Sequence, residues 1–182
     1  MGMVAPLYYS AEMVRALPDD GKRYETVHGE LLVTPAPRAW HQEVLSRLFV
    51  SLRLYIEANR CGHLFQSPAD ISWGPDTLVQ PDLFVVDLEQ AKSMDWSRMK
   101  DLLLTMEVLS PTTARFDRHT KRRLYQEVGI PFYWIVDPDG KMVEVWTPGA
   151  QCPTVERGMV KWKPEGVHEE FLLDLEELFK PI

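Results

Sequence analysis

A single acidic residue interrupts the most apolar run of this sequence, and it limits what the chain can fold into. The run LLLTMEVL, over Leu102–Leu109, has the continuous apolar pattern of a strand buried on both faces of a sheet. Carboxylates are rarely buried unless they are paired or bind a metal. Glu107 therefore predicts a bound divalent cation or a basic partner. The charged helix pattern that follows offers basic candidates: Arg115, Arg118, Lys121, Arg122 and Arg123.

The order of the predicted elements indicates an α/β fold with a mixed central sheet flanked by helices. We expect the sheet to contain the apolar segments Leu78–Asp87, Leu102–Leu109 and Phe132–Val136, with Leu102–Leu109 inside it. A long helix is predicted over Arg38–Asn59. The apolar stripe through which it packs on the sheet has the 3.6-residue period of a helix and comprises Leu45, Leu48, Leu52 and Ile56.

Turn and cap residues predict the shorter elements. His28-Gly29 is a candidate two-residue hairpin turn, and Leu64–Trp73 has the pattern of one strand. A helix capped by Thr112 or Thr113 is expected to run to about Val128. Further predicted elements are a helix over Ala11–Leu17 capped by Ser10, a strand over Met142–Trp146, a strand within Cys152–Pro164, and a terminal helix capped by Asp174.

Length and composition indicate an ordinary globular protein. The 182 residues fit one domain, with a core over about residues 23–147 and a C-terminal extension over 148–182. Cys61 and Cys152 are far apart and predict neither a zinc site nor a disulfide framework. With no apolar stretch near the ~20 residues of a membrane span and no secretory signal pattern, we expect a cytoplasmic protein that does not enter membranes. The net charge of −7 argues against a general nucleic-acid coating protein.

Two carboxylates on neighbouring strand candidates predict a metal site. Asp82 leads into the apolar run LFVV, and Glu107 lies in the second half of LLLTMEVL. If the two strands are adjacent, both carboxylates converge at one edge of the sheet. Hard oxygen ligands of this kind suit Mg²⁺ or Mn²⁺, whereas zinc would require a His or Cys cluster that does not accompany them.

The helix after the apolar run supplies the cationic part of the candidate site. Asp117, Lys121 and Tyr125 are spaced i, i+4, i+8 and lie along one side of a helix. Lys121 could orient or activate a water, or stabilise charge that develops on a phosphate. The residues expected to hold a phosphate backbone are Arg115, Arg118, Arg122 and Arg123.

Structural explanations compete with these assignments. Asp82 could serve only strand entry, and Asp117–Lys121 could be an i, i+4 pair worth about 0.2–0.5 kcal/mol. The basic run could be an ordinary solvated face. Glu107 could be buried with one arginine and no metal.

The motifs taken together resemble the Uma-two family of restriction-endonuclease-like proteins, in the PD-(D/E)XK nuclease superfamily. The similarity covers about residues 8–147. The matching stretches are Arg23-Tyr24-Glu25, Gly29-Glu30-Leu31, Pro35-Ala36-Pro37 with His41, Gln80-Pro81-Asp82, Glu107-Val-Leu-Ser-Pro-Thr, Asp117 with Lys121 and Tyr125, and Gly129-Ile-Pro-Phe-Tyr-Trp-Ile-Val-Asp-Pro.

The resemblance implies a restriction-endonuclease-like core that cleaves DNA with a metal ion. Asp82 and Glu107 would be the metal carboxylates, and the backbone carbonyl of Val108 a further ligand. The superfamily pattern has its lysine two residues after the glutamate, where this chain has Leu109, so Lys121 on the next helix would replace it. The residues that would border the site are Glu30, His41, Gln80, Asp117 and Tyr125.

Three functions therefore compete at this point. The first is a Mg²⁺- or Mn²⁺-dependent endonuclease acting on DNA, which by analogy with restriction-type enzymes would be a homodimer. The second is a non-catalytic module on the same fold that binds nucleic acid or protein. The third is a metal-dependent hydrolase of another phosphate ester. The endonuclease requires Asp82, Glu107 and Lys121 to lie together.

Overall fold

A computed structural model describes residues 8–182 of the chain. Residues 1–7, part of the segment in which no secretory signal is predicted, lie outside the described range. Within residues 8–182 the helices are α1 Ala11–Arg15, α2 Ala39–Asn59, α3 Leu88–Lys92, α4 Arg122–Glu127 and α5 Leu175–Leu178. A 3₁₀ turn spans Trp96–Arg98, and a π-helical turn, Phe116–Lys121, leads directly into α4.

The strands of the same range form three sheets. They are β1 Arg23–Val27, β2 Glu30–Thr34, β3 His63–Gln66, β4 Ile71–Gly74, β5 Thr77–Val79, β6 Leu83–Val86, β7 Leu102–Val108, β8 Tyr133–Asp137, β9 Met142–Trp146, β10 Thr154–Glu156, β11 Met159–Trp162 and β12 Phe171–Asp174. The largest sheet has the order β10-β9-β8-β7-β6-β3, and a four-stranded sheet has the order β2-β1-β5-β4. Strands β11 and β12 form a separate hairpin.

The six-stranded sheet is mixed, as the apolar patterns predict. Strand β7 lies inside it, parallel to β8 and antiparallel to β6. Alternate side chains of β6 enter two different cores, so that Leu83 and Val85 face one layer while Phe84 and Val86 face the other. The α/β prediction, with Leu102–Leu109 as an interior strand, is therefore confirmed.

Helix α2 covers one face of this sheet. Its side chains Leu48, Leu52 and Ile56 are buried as predicted, whereas Leu45 is half-buried. The β11–β12 hairpin and α5 join the same core, which contains Val160, Trp162, Phe171 and Leu178. Helices α3 and α4 pack on the opposite face, together with side chains of the four-stranded sheet.

Two segments that we predicted as single strands are each divided between the two sheets. Leu78–Asp87 becomes β5 and β6, which are separated by Gln80-Pro81-Asp82. Leu64–Trp73 becomes β3 and β4, separated around Pro68. A proline has no N–H to donate to a sheet, so it interrupts a strand where the chain passes from one sheet to the other. This crossing places Asp82 at a sheet edge.

Several local predictions are confirmed. His28 and Gly29 form the β1–β2 turn with φ values of 50° and 81°, as a two-residue hairpin turn of type I′ requires. Ser10 and Asp174 cap α1 and α5 through their side-chain oxygens. Among the described helices, none is both long enough and apolar enough to cross a bilayer.

Candidate active site

Asp82 is a buried carboxylate held at the start of β6. Its Oδ1 accepts a hydrogen bond from Arg23 Nη1 at 2.8 Å. Its Oδ2 accepts from the backbone N–H of Val108 at 2.9 Å and contacts His41 Nε2 at 3.2 Å. Burial alone would raise the pKa of Asp82, but the His41 hydrogen bond and the Arg23 charge lower it well below its usual range. Asp82 is therefore ionised at neutral pH.

Glu107 lies beside Asp82 in the sheet, on the neighbouring strand β7, and is also buried. Its Oε1 accepts hydrogen bonds from Lys121 Nζ at 2.9 Å and from the Tyr125 hydroxyl at 3.2 Å. Burial raises the pKa of Glu107 well above its usual value, and the charge of Lys121 offsets this only in part. The glutamate that interrupts the apolar run thus has a basic partner, and that partner is a lysine.

Lys121 is surrounded by three carboxylates. Its Nζ lies 2.9 Å from Glu107 Oε1, 3.0 Å from Glu25 Oε1 and 3.6 Å from Asp117 Oδ1. Burial alone would lower the pKa of Lys121, but the three negative charges raise it by more. The lysine therefore keeps its proton. Of the roles that we predicted for Lys121, charge stabilisation and orientation fit, whereas deprotonation of a water does not.

Glu25 on β1 belongs to this cluster, although we did not predict it as a site residue. It is 1% exposed, its Oε1 accepts from the backbone N–H of Gln80 at 2.7 Å, and its Oε2 is buried without a hydrogen-bond partner within residues 8–182. The sequence carried one signal for it. Period-two alternation places Glu25 on the same face of β1 as the buried Val27.

A π-helical turn carries both Asp117 and Lys121. We predicted a regular α-helix from Thr112 or Thr113, but the helix that starts at Ala114 is interrupted by a π-helical segment from Phe116 to Lys121 before α4 begins at Arg122. Such turns hold one extra residue and are frequent at functional sites. Burial raises the pKa of Asp117 to about 6, against the opposing effects of Lys121 and of a Thr113 hydrogen bond.

The structure brings most of the other predicted residues to the cluster. His41, in the first turn of α2, is buried and contacts Asp82. Gln80 takes part through its backbone, because its N–H binds Glu25 and its carbonyl accepts from Arg23 Nη1 at 3.1 Å. Tyr125 is fully buried, and burial together with the charge of Glu107 raises its pKa, so its hydroxyl remains a donor.

Glu30 and the predicted phosphate-binding arginines lie elsewhere. Glu30 is exposed at the hairpin end of β2, and it has no hydrogen bond to the described cluster. Arg118 forms ion pairs with Asp137 and Glu144, and Arg122 stacks over the Trp146 ring at 4.8 Å. Glu30 does not line the cavity beside the cluster, and neither do the four predicted phosphate-binding residues Arg115, Arg118, Arg122 and Arg123. The assignment of these four arginines to nucleic-acid binding is therefore not supported by their position. Lys121 and Tyr125 lie behind the cavity wall, in contact with Glu107.

An open cavity of about 710 Å³ borders the cluster. Asp82, Glu107, Val108 and Asp117 line its inner end. Its other walls come from the turn after α1, the start of α2 and the β3–β4 connection. The lysine and arginine side chains that line it are Arg15, Lys22, Arg23 and Arg38.

The charges of the buried cluster do not balance. Glu25, Asp82, Glu107 and Asp117 are four buried carboxylates. Arg23 and Lys121 are the cations in contact with them, which leaves an excess of two negative charges within the described residues. Unpaired buried carboxylates either bind protons, as the raised pKa values of Glu107 and Asp117 indicate, or attract an additional cation.

The residues at the cavity that could contribute to a metal site are Asp82 and Glu107, whose oxygens are ligands of the kind that Mg²⁺ and Mn²⁺ take. Nowhere in residues 8–182 do three His, Cys, Asp or Glu side chains converge as a set that could hold a metal ion by itself. Mg²⁺ retains several waters and commonly binds one or two carboxylates together with substrate phosphates. Asp82 accepts three of the roughly four hydrogen bonds available to a carboxylate. Glu107 Oε2 accepts none from the residues described.

The mixed sheet with helices on both faces, and the paired carboxylates at adjoining strands, agree with the restriction-endonuclease-like fold that the resemblance implies. The chain belongs to the Uma2 family, described as "Putative restriction endonuclease", whose family model matches residues 11–176. The prediction of this family from the motifs is therefore confirmed.

A solved structure shares the whole fold. It is described as "a putative nuclease belonging to DUF820 from Anabaena variabilis ATCC 29413". The similarity has a TM-score of 0.78 at 20% sequence identity, and it covers 94% of this chain and 97% of that one. No curated protein matches this chain significantly. At this identity, the neighbour establishes the fold alone.

Proposed function

We propose that this protein is a metal-dependent endonuclease that hydrolyses phosphodiester bonds of DNA. The observation that carries the proposal is the excess of buried carboxylates over cations at the inner end of an open cavity. Asp82 and Glu107 would hold Mg²⁺ or Mn²⁺, with the carbonyl of Val108 as a further ligand. Membership of the Uma2 family supports a nuclease role.

The metal ion, when bound, would polarise the phosphoryl oxygen and lower the pKa of a bound water. The residues of the chain supply the remaining functions. Arg23 and the Val108 N–H keep Asp82 ionised and fixed in place. Lys121 supplies a permanent positive charge, and the Tyr125 hydroxyl restrains Glu107. Losing one electrostatic group of this kind commonly lowers the rate about 10²–10³-fold.

A plasmid-nicking assay with Mn²⁺, run beside calorimetric metal titration, tests this proposal. Asp82→Asn and Glu107→Gln are expected to abolish both cleavage and metal binding, because each removes a ligand charge with little change of shape. Lys121→Met is expected to lower turnover while metal binding persists. Circular dichroism would establish that each variant is folded, since a lost buried charge also destabilises the fold.

Glu89→Gln is the matched control, because Glu89 is an exposed carboxylate whose ion-pair partner is Lys92. This variant should cut at the wild-type rate. Undiminished cleavage by Lys121→Met would remove the lysine from the mechanism. A folded wild-type protein that neither binds metal nor cuts nucleic acid would contradict the proposal.

The second candidate is a non-catalytic binding module on the same fold. The observation that favours it is the departure at Leu109, an apolar, buried side chain at the position of the superfamily lysine. The contact of Lys121 with Glu107 supports the alternative, in which Lys121 would replace that lysine. The nicking assay separates the two candidates, because a binding module would retain nucleic acid without cutting it.

We further propose that two copies of the chain act together on the two strands of DNA. Closed two-fold dimers are the commonest oligomers, and one site per protomer would allow paired cuts. Light scattering at micromolar protein concentration should then give twice the chain mass of 21.1 kDa. A mass of a single chain would count against the dimer.

A further inference from the structure

The amino terminus of α2 borders the cavity, and its first backbone donors are free. This helix has 21 residues, no side-chain cap at Arg38 and no acidic residue in its first turn. The first intrahelical bond runs from the N–H of Gln42 to the carbonyl of Arg38. The N–H groups of Ala39, Trp40 and His41 therefore have no acceptor within the described residues. A helix start of this kind carries partial positive charge and favours anions.

A buried side chain in the same turn also lacks a partner. His41 is 8% exposed and lines the cavity. Its Nε2 faces the ionised Asp82, which can only accept, so Nε2 carries a proton. Nδ1 is buried without a hydrogen-bond partner in the described structure. An unsatisfied buried polar atom is costly, so this turn of α2 has polar groups that the described residues do not satisfy.

Among the lysine and arginine side chains that line the cavity, one has no ion-pair partner in the described residues. Arg15 pairs with Asp70, Lys22 with Asp20, and Arg23 with Asp82. Arg38, by contrast, is exposed and forms neither an ion pair nor a side-chain hydrogen bond to any described residue. Its guanidinium is therefore available to a ligand that enters the cavity.

We propose that the amino terminus of α2, together with Arg38, binds a phosphate group of the nucleic-acid strand next to the phosphate that is cleaved. The free N–H groups and the guanidinium would donate to the phosphate oxygens. Because His41 contacts Asp82, this position lies one side chain away from the candidate metal carboxylates. The inference rests on the proposed function for the identity of the ligand.

The test is the affinity for a short fluorescein-labelled DNA duplex, measured by fluorescence anisotropy with Ca²⁺ in place of Mg²⁺. Arg38→Gln should weaken binding about 5–10-fold and lower the salt slope by about one, as the loss of one phosphate contact requires. Ala39→Pro removes one free N–H at the first helical position, where proline is well tolerated. The extended backbone of Arg38, with ψ of 156°, already suits a following proline.

Ala39→Pro should weaken DNA binding about 3–10-fold while the melting temperature is unchanged or raised. Arg60→Gln is the control, because Arg60 follows the opposite end of α2 and does not line the cavity. It should bind DNA as the wild type does. Wild-type affinity in both Arg38→Gln and Ala39→Pro would overturn the proposal.

Two further outcomes would distinguish a failure of this inference from a failure of the proposed function. If the wild type binds DNA through Arg38 and Ala39 but does not cut it with Mn²⁺, the phosphate site stands and the nuclease function fails. If inorganic phosphate raises the melting temperature of the wild type but not of Ala39→Pro, and DNA does not bind, the site serves small phosphate compounds and the assignment to a nucleic-acid strand is overturned. Failure of the wild type to bind either probe also overturns it.

Discussion

Lys121 is the residue on which the buried charges of the site depend. Three carboxylates from two strands and a helical turn lie within 3.6 Å of its ammonium group. A single ammonium cannot neutralise three carboxylates. Some of these carboxylates must therefore bind either protons or another cation. The raised pKa values of Glu107 and Asp117 express this shortage of positive charge.

Replacing Asp117 by asparagine should stabilise the metal-free protein at high pH. Burial raises the pKa of Asp117 from 3.8 to about 6, so the folded state binds more protons than the unfolded state between these pH values. Wild-type stability therefore falls as the pH rises through this window. The full shift corresponds to about 3 kcal/mol. The free energy of unfolding in urea should favour Asp117→Asn by about 1–2 kcal/mol more at pH 8 than at pH 5.

Asp139→Asn is the control for that measurement, since Asp139 is an exposed carboxylate in the turn after β8. Its effect on stability should not change with pH over the same range. An Asp117→Asn protein whose relative stability is the same at pH 5 and pH 8 would show that Asp117 has an ordinary pKa in the folded chain.

Some site residues could be predicted from the sequence and others could not. Asp82 and Glu107 each stand out because an acidic residue adjoins or interrupts an apolar run. Glu25 and Glu30 are on the same hairpin, and alternation places each on the face of a buried neighbour. Lys121, which is distant in sequence, pairs with Glu25. This long-range contact is the reason why Glu25, and not Glu30, belongs to the buried cluster. Such tertiary pairing leaves no local pattern.

At the scale of elements, the π-helical turn Phe116–Lys121 is the feature with the clearest consequence for the site. A turn that holds one extra residue is wider than a regular α-helical turn, so it spaces its side chains differently around the helix axis. Leu124 and Tyr125 anchor α4 in the core. The extra residue therefore sets the angle at which Asp117 and Lys121 face each other.

Deleting His119 should convert this turn to regular α-helix and impair the site. The His119 side chain is exposed, so its loss removes little packing. The deletion leaves Asp117 and Lys121 three residues apart, which keeps them on one face of a regular helix but changes the angle between their side chains. We expect cleavage to fall at least about tenfold while far-UV circular dichroism is retained. His119→Ala keeps the chain length and should remain active. Wild-type cleavage after the deletion would show that the π-helical turn is not required.

The strands show which parts of the fold a local pattern can predict. Apolar runs locate β6, β7 and β8 correctly because both faces of those strands are buried. The same runs do not reveal that Leu78–Asp87 crosses from one sheet to another at Pro81. The crossing depends on which sheet each half can pair with, and the pairing of β5 with β1 and β4 is a long-range property. The proline was the local sign of the break.

At the scale of the whole molecule, the net charge of −7 opposes binding to an anionic polymer. Two unit charges 4 Å apart repel by about 4 kcal/mol at an effective dielectric constant of 20. The uncompensated carboxylates of the cluster would therefore exclude a phosphate from the inner end of the cavity. A divalent cation would remove the local excess of two negative charges. DNA affinity should therefore depend on metal ions more than it does for a basic protein.

We expect Ca²⁺, as a non-reactive substitute, to tighten binding of duplex DNA at least about tenfold relative to EDTA in fluorescence anisotropy. The Asp82→Asn, Glu107→Gln double variant should lose this metal effect, because its cluster has no excess negative charge and fewer ligands. The logarithm of the binding constant should fall with the logarithm of salt concentration with a slope of about −2 to −3, since few phosphates can reach the cations that line the cavity. Equal wild-type affinity in EDTA and in Ca²⁺ would separate DNA binding from the carboxylate cluster. A much steeper slope would mean that a basic surface outside the cavity carries the interaction.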